Sequence, residues 1–369
     1  MRPRRPTGAG QTHTSTRVQR RRVARECYDP RMTPTPAPSR TPAATPMMLD
    51  ALGEIRLTHP MDLIAEILDS GTNSVTVTLT DPKAYGEGAF QAALVDLWRY
   101  ERHLEAHANH LLKATAVADI ARAVDSGRLA IFYQLQNSTP IQKDVDRVDV
   151  LYTLGLRSLQ LTYNYQNYVG SGCRERCDGG LTVFGIELIE RMNEIGMLVD
   201  TSHAGMTTMA DAIRVSKAPI TVSHTCCQAV HEHVRNTTDD NLRALADRGG
   251  VVGICQIRTF VTRETGDNLG RYIDHIDHAV KVAGIDHVCI GSDRDHRVIP
   301  DRQEEIDLLI EEEGAQFNPA EWPLYLTALN GPRRMEVVWH ALVDRGYSED
   351  QVEKILSQNL LRLYRDVMG

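Results

Sequence analysis

The stretch GMLVDTSHAGMTTMADAIRVSKAPITVSHT, residues 196–225, contains two short apolar runs separated by an amphipathic segment. Each run is rich in aliphatic and β-branched residues and leads into a polar tip, which is typical of a buried parallel strand. The segment between the runs has apolar residues at helical spacing. The stretch therefore predicts a strand, a helix and a second strand, which is the unit from which parallel α/β folds are built.

The same alternation of short apolar runs and longer amphipathic segments extends in both directions from this unit, beginning at about residue 47. It predicts eight strands, at residues 47–52, 74–79, 129–135, 158–163, 197–202, 220–223, 250–255 and 287–291. Helical patterns lie between them, at residues 60–68, 90–116, 144–154, 183–195, 207–216, 239–246 and 269–282. Eight strands that alternate with helices close most economically as an α/β fold of the (β/α)8 TIM-barrel type.

An open, doubly wound sheet is the structural alternative, since it is built from the same repeating unit. The sequence disfavours it, because neither a GxGxxG nor a GxxxxGK[ST] phosphate-binding motif follows any of the predicted strands. After the eighth strand, two extra C-terminal helices are predicted at residues 331–344 and 348–367, and we expect the second to pack on the barrel. The acidic run at residues 304–313 is expected to be a solvated face.

The beginning of the chain differs sharply from the rest in composition. Residues 1–49 contain ten arginines, no lysine, only two acids and eight of the 16 prolines. This composition predicts a disordered leader over residues 1–46, which is either an organelle transit peptide or a stretch upstream of the true start codon. Residues 47–369 are predicted to form a single barrel domain.

The charge of the chain disfavours one class of partner. The formal net charge is −8 although the leader is strongly basic, so the predicted barrel domain is acidic and no nucleic-acid partner is expected. No apolar run is long enough for a membrane span, and the leader lacks the apolar core of a secretory signal. These features predict a cytoplasmic protein.

Polar side chains follow the predicted strands at the end where a barrel of this type carries its reacting groups. His203 and His224 occupy the same position on two successive strands. Because adjacent strands lie about 4.8 Å apart, one metal ion could bind both imidazoles. Asp293 follows the eighth strand, where it would take a proton or hold a substrate ammonium group, unless it is paired with Arg294 or Arg297. The sequence therefore predicts a metal-assisted site.

Several segments resemble the renal or membrane dipeptidases, peptidase family M19, which are metal-dependent barrels related to the amidohydrolases. The resemblance extends over about residues 48–367 and is best in GMLVDTSHA (196–204), APITVSHT (218–225), VRNTTDD (234–240), YIDHIDHA (272–279), IGSD (290–293) and NLLRLY (359–364). The 21-residue interval from His203 to His224 matches the family's two metal histidines. Arg235 corresponds to an arginine that grips the substrate carboxylate, and Asp293 to the family's catalytic or amine-binding aspartate.

The sequence departs from this family at four further positions. The first strand of the family ends in His-x-Asp, where this chain has Leu52 and Glu54, and the bridging glutamate aligns with Gln136. The substrate-facing histidine aligns with Tyr163. Two dications about 3.5 Å apart repel by about 19 kcal/mol at an effective dielectric of about 20, and a neutral glutamine does not offset that repulsion. We therefore expect one Zn²⁺ rather than two, bound by the histidine pair with Glu54 or Gln136.

The resemblance implies a zinc-dependent, dipeptidase-like hydrolase that cleaves a dipeptide or a similar small amide by metal-bound hydroxide. In this interpretation Asp293 and Tyr163 are catalytic, and both bind the substrate together with Arg235. The family also implies a homodimer. Two alternatives stay open: a metal-binding barrel that acts on a different small molecule, and a catalytically inactive paralogue.

Overall fold

The computed structural model describes residues 45–84, 86–314 and 317–369. The predicted leader lies outside the described residues, apart from its last two positions. All the predicted strands and helices begin after it. Among the residues that the structure describes, no helix has both the length and the apolar composition that a membrane span requires.

The described residues form a parallel sheet of nine strands. They are β1 (Met48–Gly53), β2 (Thr72–Thr78), β3 (Leu111–Lys113), β4 (Leu129–Leu135), β5 (Leu156–Gln160), β6 (Leu198–Asp200), β7 (Thr221–Thr225), β8 (Val251–Ile254) and β9 (Val288–Ile290). Eight of them follow the order β1-β2-β4-β5-β6-β7-β8-β9, and these are the eight strands that the sequence predicts. The ninth, β3, was not predicted; it pairs with β4 beside the main path.

The first and last strands of this path meet, which closes the sheet into a barrel. The backbone N–H of Asp293 donates to the carbonyl of Leu52 at 2.8 Å, and that of Glu54 donates to the carbonyl of Arg294 at 3.0 Å. The carboxylate of Asp50 on β1 accepts hydrogen bonds from the backbone and the hydroxyl of Ser292. The (β/α)8 prediction is therefore confirmed, and the open sheet is excluded.

Helices connect the strands, and three of them, at residues 117–125, 258–261 and 303–313, were not predicted. Those of the described residues are α1 (Met61–Asp69), α2 (Ala89–Ala106), α3 (Val117–Asp125), α4 (Asp146–Thr153), α5 (Val183–Ile195), α6 (Met206–Val215), α7 (Asp239–Asp247), α8 (Arg258–Val261), α9 (Leu269–Ala283), α10 (Gln303–Glu313), α11 (Arg334–Arg345), α12 (Glu349–Glu353) and α13 (Asn359–Met368). The helix predicted at residues 90–116 was too long, because α2 ends at Ala106 and Leu111 and Leu112 join the sheet as β3.

Alternate residues of β4 pack on opposite sides of the barrel wall, as the two-residue period of a strand requires. The odd-numbered residues from Leu129 to Leu135 belong to the main core, which includes the apolar faces of the surrounding helices. Ala130 and Phe132 belong to a second cluster inside the barrel. Gln134, the next inward position, donates a hydrogen bond to Asp200 at 2.7 Å. The interior therefore changes from apolar to polar toward the carboxyl ends of the strands.

The last helix, α13, closes the barrel at the amino ends of the strands. Its residues Leu360, Leu361, Leu363 and Tyr364 pack with inward-facing strand residues that include Leu49, Phe132, Leu198 and Val251. The Tyr364 hydroxyl lies 2.7 Å from that of Thr76 on β2. The Asn359 side chain donates to the carbonyls of Ile285 and Val288. The prediction that this helix packs on the barrel is confirmed.

Candidate active site

A cavity of about 590 Å³ opens at the carboxyl ends of the strands. Six of the seven residues predicted to form the site line it: Glu54, Gln136, Tyr163, His203, Arg235 and Asp293. The seventh, His224, is completely buried and lies against His203. Strand ends that are up to 239 positions apart in the chain therefore bring these side chains to one place, as the barrel geometry requires.

His203 and His224 form a close pair at the ends of β6 and β7. Their ring centroids are 5.0 Å apart and the rings are inclined by 65°. Burial, with the charge of Arg235 added to it, lowers the pKa of both imidazoles well below its usual value, so both rings are neutral. The Nε2 atom of His224 is buried without a hydrogen-bond partner. A bare, buried nitrogen beside a second imidazole is a suitable ligand for a cation.

Three residues of the cavity have left-handed backbone conformations that L-residues rarely adopt. They are Asn164, His203 and Asp293, with φ angles of 55°, 61° and 54°. Such conformations cost about 1 to 3 kcal/mol each and concentrate at functional sites. Asn164 was not predicted as a site residue. Its residue type is the one sequence signal that could have indicated it, because asparagine tolerates this backbone conformation better than most other non-glycine residues. Its Oδ1 atom lies 2.8 Å from Nδ1 of His203.

Tyr163 covers the outer histidine of the pair. Its ring stacks on that of His203, with centroids 4.2 Å apart and an interplanar angle of 27°. The Lys83 ammonium group lies 6.0 Å from the centre of the tyrosine ring. Burial raises the pKa of the Tyr163 hydroxyl well above its usual value, so the hydroxyl keeps its proton and can donate it in a hydrogen bond.

Asp293 has a carboxyl group that titrates near neutrality. Burial raises its pKa to about 7; the charge of Arg235 opposes the shift and that of Glu54 adds to it. The side chain of Gln136 is hydrogen-bonded to this carboxyl group and favours its charged form. Arg297, which the sequence offered as an ion-pair partner for Asp293, instead pairs with Glu305 and Asp295.

Arg235 presents an incompletely paired guanidinium group to the cavity. The side chain is only 4% exposed and lies over the ring of Phe260, 5.2 Å from its centre. One terminal nitrogen donates to the carbonyl of His224 at 3.3 Å, while Nε is buried without a hydrogen-bond partner. A buried N–H group without an acceptor is costly, so the site favours a ligand that supplies one.

The residues around the pair fit part of a metal site but not a dinuclear one. Leu52 is 2% exposed and has no ligand atom, and Glu54 is engaged by Arg56, with Nε to Oε2 at 2.8 Å. The described residues hold no group of three or more His, Cys, Asp or Glu side chains placed to share an ion. The two imidazoles are therefore the donors that the geometry brings together, and two ligands are fewer than the three that catalytic zinc usually has.

The acidic run is not simply a solvated face, which corrects the sequence prediction. Residues of α10 and of the segment 317–325 line the cavity. Glu305 is 3% exposed and binds Arg297 through both carboxylate oxygens, at 3.0 and 2.6 Å. Glu312 pairs with Arg56 at 3.1 Å and Glu313 with Lys83 at 3.2 Å, which ties α10 to the loops after β1 and β2.

A family model for the membrane dipeptidases, peptidase family M19, matches residues 61–306, which is about two thirds of the chain. The chain belongs to this family. The match includes β2 to β9, and with them six of the seven predicted site residues, from Gln136 to Asp293. Glu54 and Leu52, two of the positions that differ from the family's pattern, lie before the matched range.

Two curated relatives of this membrane dipeptidase family are similar over part of their length. An uncharacterized dipeptidase of Schizosaccharomyces pombe is 36% identical over 202 residues, which are 53% of this chain and 49% of the relative. The dipeptidase verJ of Clonostachys rogersoniana is 29% identical over 266 residues, which are 72% of this chain and 62% of the relative. The chain thus matches about half to three fifths of the length of these relatives.

Solved structures extend the likeness over most of the barrel. An amidohydrolase from Pseudomonas aeruginosa is 27% identical with a TM-score of 0.79, covering 88% of this chain and 97% of its own. A metallo peptidase from Rhodobacter sphaeroides, solved with a phosphinate mimic of the dipeptide L-Ala-D-Ala, is 19% identical with a TM-score of 0.73 and covers 88% of this chain and all of its own. At this identity the second likeness shows a shared fold and nothing further.

Proposed function

We propose that this protein is a zinc-dependent hydrolase that cleaves a dipeptide or a similar small amide. The observation that carries the proposal is the meeting, in one cavity of about 590 Å³, of a neutral histidine pair, a buried arginine and a carboxyl group with a pKa near 7. Membership of the dipeptidase family supports a small-molecule substrate. The cavity is large enough for a dipeptide and for somewhat larger amides.

Arg235 binds the substrate carboxylate in this proposal. Its guanidinium group donates a hydrogen bond to the carbonyl of His224 and lies over the ring of Phe260. These two contacts fix its position before a ligand binds. A carboxylate can accept two parallel hydrogen bonds from an arginine and supply the acceptor that Nε lacks. This contact orients the amide bond toward the histidine pair.

Asp293 and Tyr163 act on the protons of the reaction. Asp293 accepts a proton from the attacking water or holds the substrate ammonium group, because burial raises its pKa to about 7, where a carboxyl group can both accept and release a proton. Gln136 orients that carboxyl group through a hydrogen bond. The Tyr163 hydroxyl stays protonated and donates a hydrogen bond to oxygen of the substrate.

One Zn²⁺ ion is proposed at the histidine pair. His203 and His224 would hold it, and the unpartnered Nε2 of His224 supports this placement. The ion would supply Lewis acidity that makes water a better nucleophile near neutral pH. The predicted ligands Glu54 and Gln136 are engaged elsewhere, by Arg56 and Asp293, so the two imidazoles are the protein donors on which the proposal depends.

The test is to incubate the protein with a panel of L-X-D-Y and L-X-L-Y dipeptides and added Zn²⁺. Hydrolysis is measured as the release of free amino acids. We expect activity in the wild-type protein and its loss in His203→Ala and His224→Ala. The matched control His110→Ala removes a histidine of the α2–β3 connection and is expected to keep the activity. Wild-type protein that is folded but cleaves no dipeptide, or histidine variants that stay active, would overturn the proposal.

A second function is favoured by one observation, the loss of the family's pattern at Leu52 and Gln136. In this alternative the barrel binds a metal and a small molecule, and either acts on another substrate or is an inactive paralogue. Retained zinc and a ligand-dependent rise in Tm without any dipeptide hydrolysis would select it. The homodimer and the cytoplasmic location stay predictions that rest on the sequence.

A further inference from the structure

The floor beneath the histidine pair is a buried polar cluster that no step of the proposed reaction uses. At its centre is Asp200, the last residue of β6, which is completely buried. Its carboxylate accepts five hydrogen bonds: from the backbone and hydroxyl of Ser202 at 2.9 and 2.9 Å, from the backbone and hydroxyl of Ser223 at 3.0 and 2.5 Å, and from Gln134 at 2.7 Å. The donors lie on β4, on β7 and in the residues directly after β6.

The Ser223 hydroxyl joins this carboxylate to His224. Its oxygen lies 2.5 Å from Oδ2 of Asp200 and 2.8 Å from Nδ1 of His224. A serine hydroxyl has one proton, and a carboxylate is a stronger acceptor than a neutral imidazole. The proton therefore points to Asp200, and the oxygen accepts the Nδ1–H of His224.

This arrangement determines which nitrogen of His224 is bare. A neutral imidazole carries one proton, so a protonated Nδ1 leaves Nε2 with a free lone pair. That Nε2 atom is the buried nitrogen without a hydrogen-bond partner. His203 shows the same pattern, since its Nδ1 lies 2.8 Å from Oδ1 of Asn164. Each ring is thus held at Nδ1 by the protein.

We propose that Asp200, acting through the Ser223 hydroxyl, is a positioning residue that sets the tautomer of His224 and so prepares Nε2 to bind a cation. The inference rests on the proposed function only for the identity of that cation. Partners that hold the second nitrogen of a ligating histidine typically change metal affinity 10- to 100-fold when they are removed. Asp200 and Ser223 touch neither substrate nor reacting atoms.

The backbone around Ser223 is tightly packed, which restricts the position of this residue. A Cβ atom at Gly253 or Gly291 would lie 1.9 or 1.7 Å from the Ser223 carbonyl oxygen. Gly253 on β8 and Gly291, which directly follows β9, must therefore both remain glycine if Ser223 and His224 are to keep their places. A side chain at either position would displace the link between Asp200 and the imidazole.

The test compares Ser223→Ala with Ser158→Ala. Ser158 is a matched control because it is a buried serine of β5 whose hydroxyl has no hydrogen-bond partner. Nitrogen NMR of ¹⁵N-histidine-labelled, metal-free protein reports the tautomer, with His224 assigned from His224→Gln. We expect a protonated Nδ1 in the wild type, in Ser158→Ala and in Ser223→Thr, which keeps the hydroxyl, and a mixture of tautomers in Ser223→Ala.

Zinc affinity of the same proteins, measured by chelator competition, is the second readout. We expect binding about 10- to 100-fold weaker in Ser223→Ala than in Ser158→Ala, with recovery in Ser223→Thr. Asp200→Asn keeps the serine and is expected to weaken binding as well, which covers a Ser223→Ala protein that does not fold. An unchanged tautomer in Ser223→Ala would overturn the inference; a wild type that binds no zinc would overturn the zinc proposal alone, because the tautomer is read without metal.

Discussion

The carboxyl group of Asp293 links the local environment of one residue to the pH at which the site can work. Burial raises its pKa to about 7, the Arg235 charge opposes this shift, and the Glu54 charge adds to it. A general base must be ionised before it can accept a proton, so catalysis that depends on Asp293 increases as the pH rises through this range.

We predict that kcat/KM for dipeptide hydrolysis rises with pH up to about 7 and then levels, and that Asp293→Asn lowers kcat by about 100-fold or more. Glu54→Gln removes a negative charge that favours the protonated carboxyl group, so its profile should move to lower pH. The control Glu304→Gln changes an exposed acid of α10 that does not line the cavity and should leave the profile in place. A wild-type profile that is flat between pH 5 and 8 would contradict the prediction.

The site residues that sequence alone can predict are those whose place follows from a strand end. His203, His224 and Asp293 are of this kind, because every strand of a barrel points its carboxyl end at the same opening. Asn164, Ser223 and Asp200 were missed as partners of the histidines. Their contacts depend on the register of neighbouring strands and on side-chain packing, which a single sequence does not contain.

Among the elements, α13 follows the last strand and connects no two strands, yet its apolar face packs on the barrel and stabilises it. Leu363 is completely buried in the cluster at the amino ends of the strands. We predict that Leu363→Ala lowers the free energy of unfolding by about 2 to 5 kcal/mol, because it removes buried methyl groups and leaves a cavity. Urea unfolding at pH 7 measures this loss.

The matched control for that helix is Arg365→Ala, which changes an exposed residue of the same element. We expect it to alter the free energy of unfolding by no more than about 0.5 kcal/mol. A loss below about 1 kcal/mol in Leu363→Ala would show that α13 can leave the barrel without consequence for its stability.

Strands and helices were predictable where the apolar residues extended far enough along the chain to show the period of a strand or a helix. The eight strands of the barrel path and helices such as α5 and α9 lie close to their predicted bounds. The three-residue strand β3 was read as part of a helix, because a run as short as Leu111–Lys113 cannot show the alternation of a strand. Likewise, the acids of α10 gave no sign of their partners, since Arg56 and Lys83 lie more than 200 positions away.

At the scale of the whole molecule, buried neutral histidines make stability depend on pH. His275 on α9 is completely buried; its Nδ1 accepts from the backbone of Cys227 and its Nε2 donates to the carbonyl of Val261, both at 3.0 Å. Burial lowers its pKa to about 4. Since the folded pKa is below that of the unfolded chain, about 6.5, the stability is present above pH 6.5 and is lost as the pH falls toward 4.

We predict that His275→Gln reduces the loss of unfolding free energy between pH 7 and pH 5 by about 2 kcal/mol relative to the wild type. Urea unfolding at the two pH values measures it. His278→Gln, which removes a partly buried histidine of the same helix, serves as the control for the substitution itself. Equal pH dependence in the wild type and His275→Gln would contradict the assignment.

The fold as a whole was more predictable than the chemistry of its site. The barrel follows from the repetition of one strand and helix unit, which tolerates many sequences. The number of ions that the proposed metal site would hold depends on a few side chains, and here Leu52 and Gln136 differ from the family's pattern. Which donors meet around an ion is set by distances that no spacing in the sequence encodes.

The junction of β1 and β9 has a consequence for how the chain is made. Asp50 can accept its hydrogen bonds from Ser292 only after Ser292 has been synthesised, 242 residues later. At ordinary rates of translation this delay is roughly 10 to 50 s. Until then, the apolar edge of β1 has no final neighbour and can pair with strands of other nascent chains. The yield of folded protein in a host cell should therefore depend on the supply of chaperones, even if the folded barrel itself is stable.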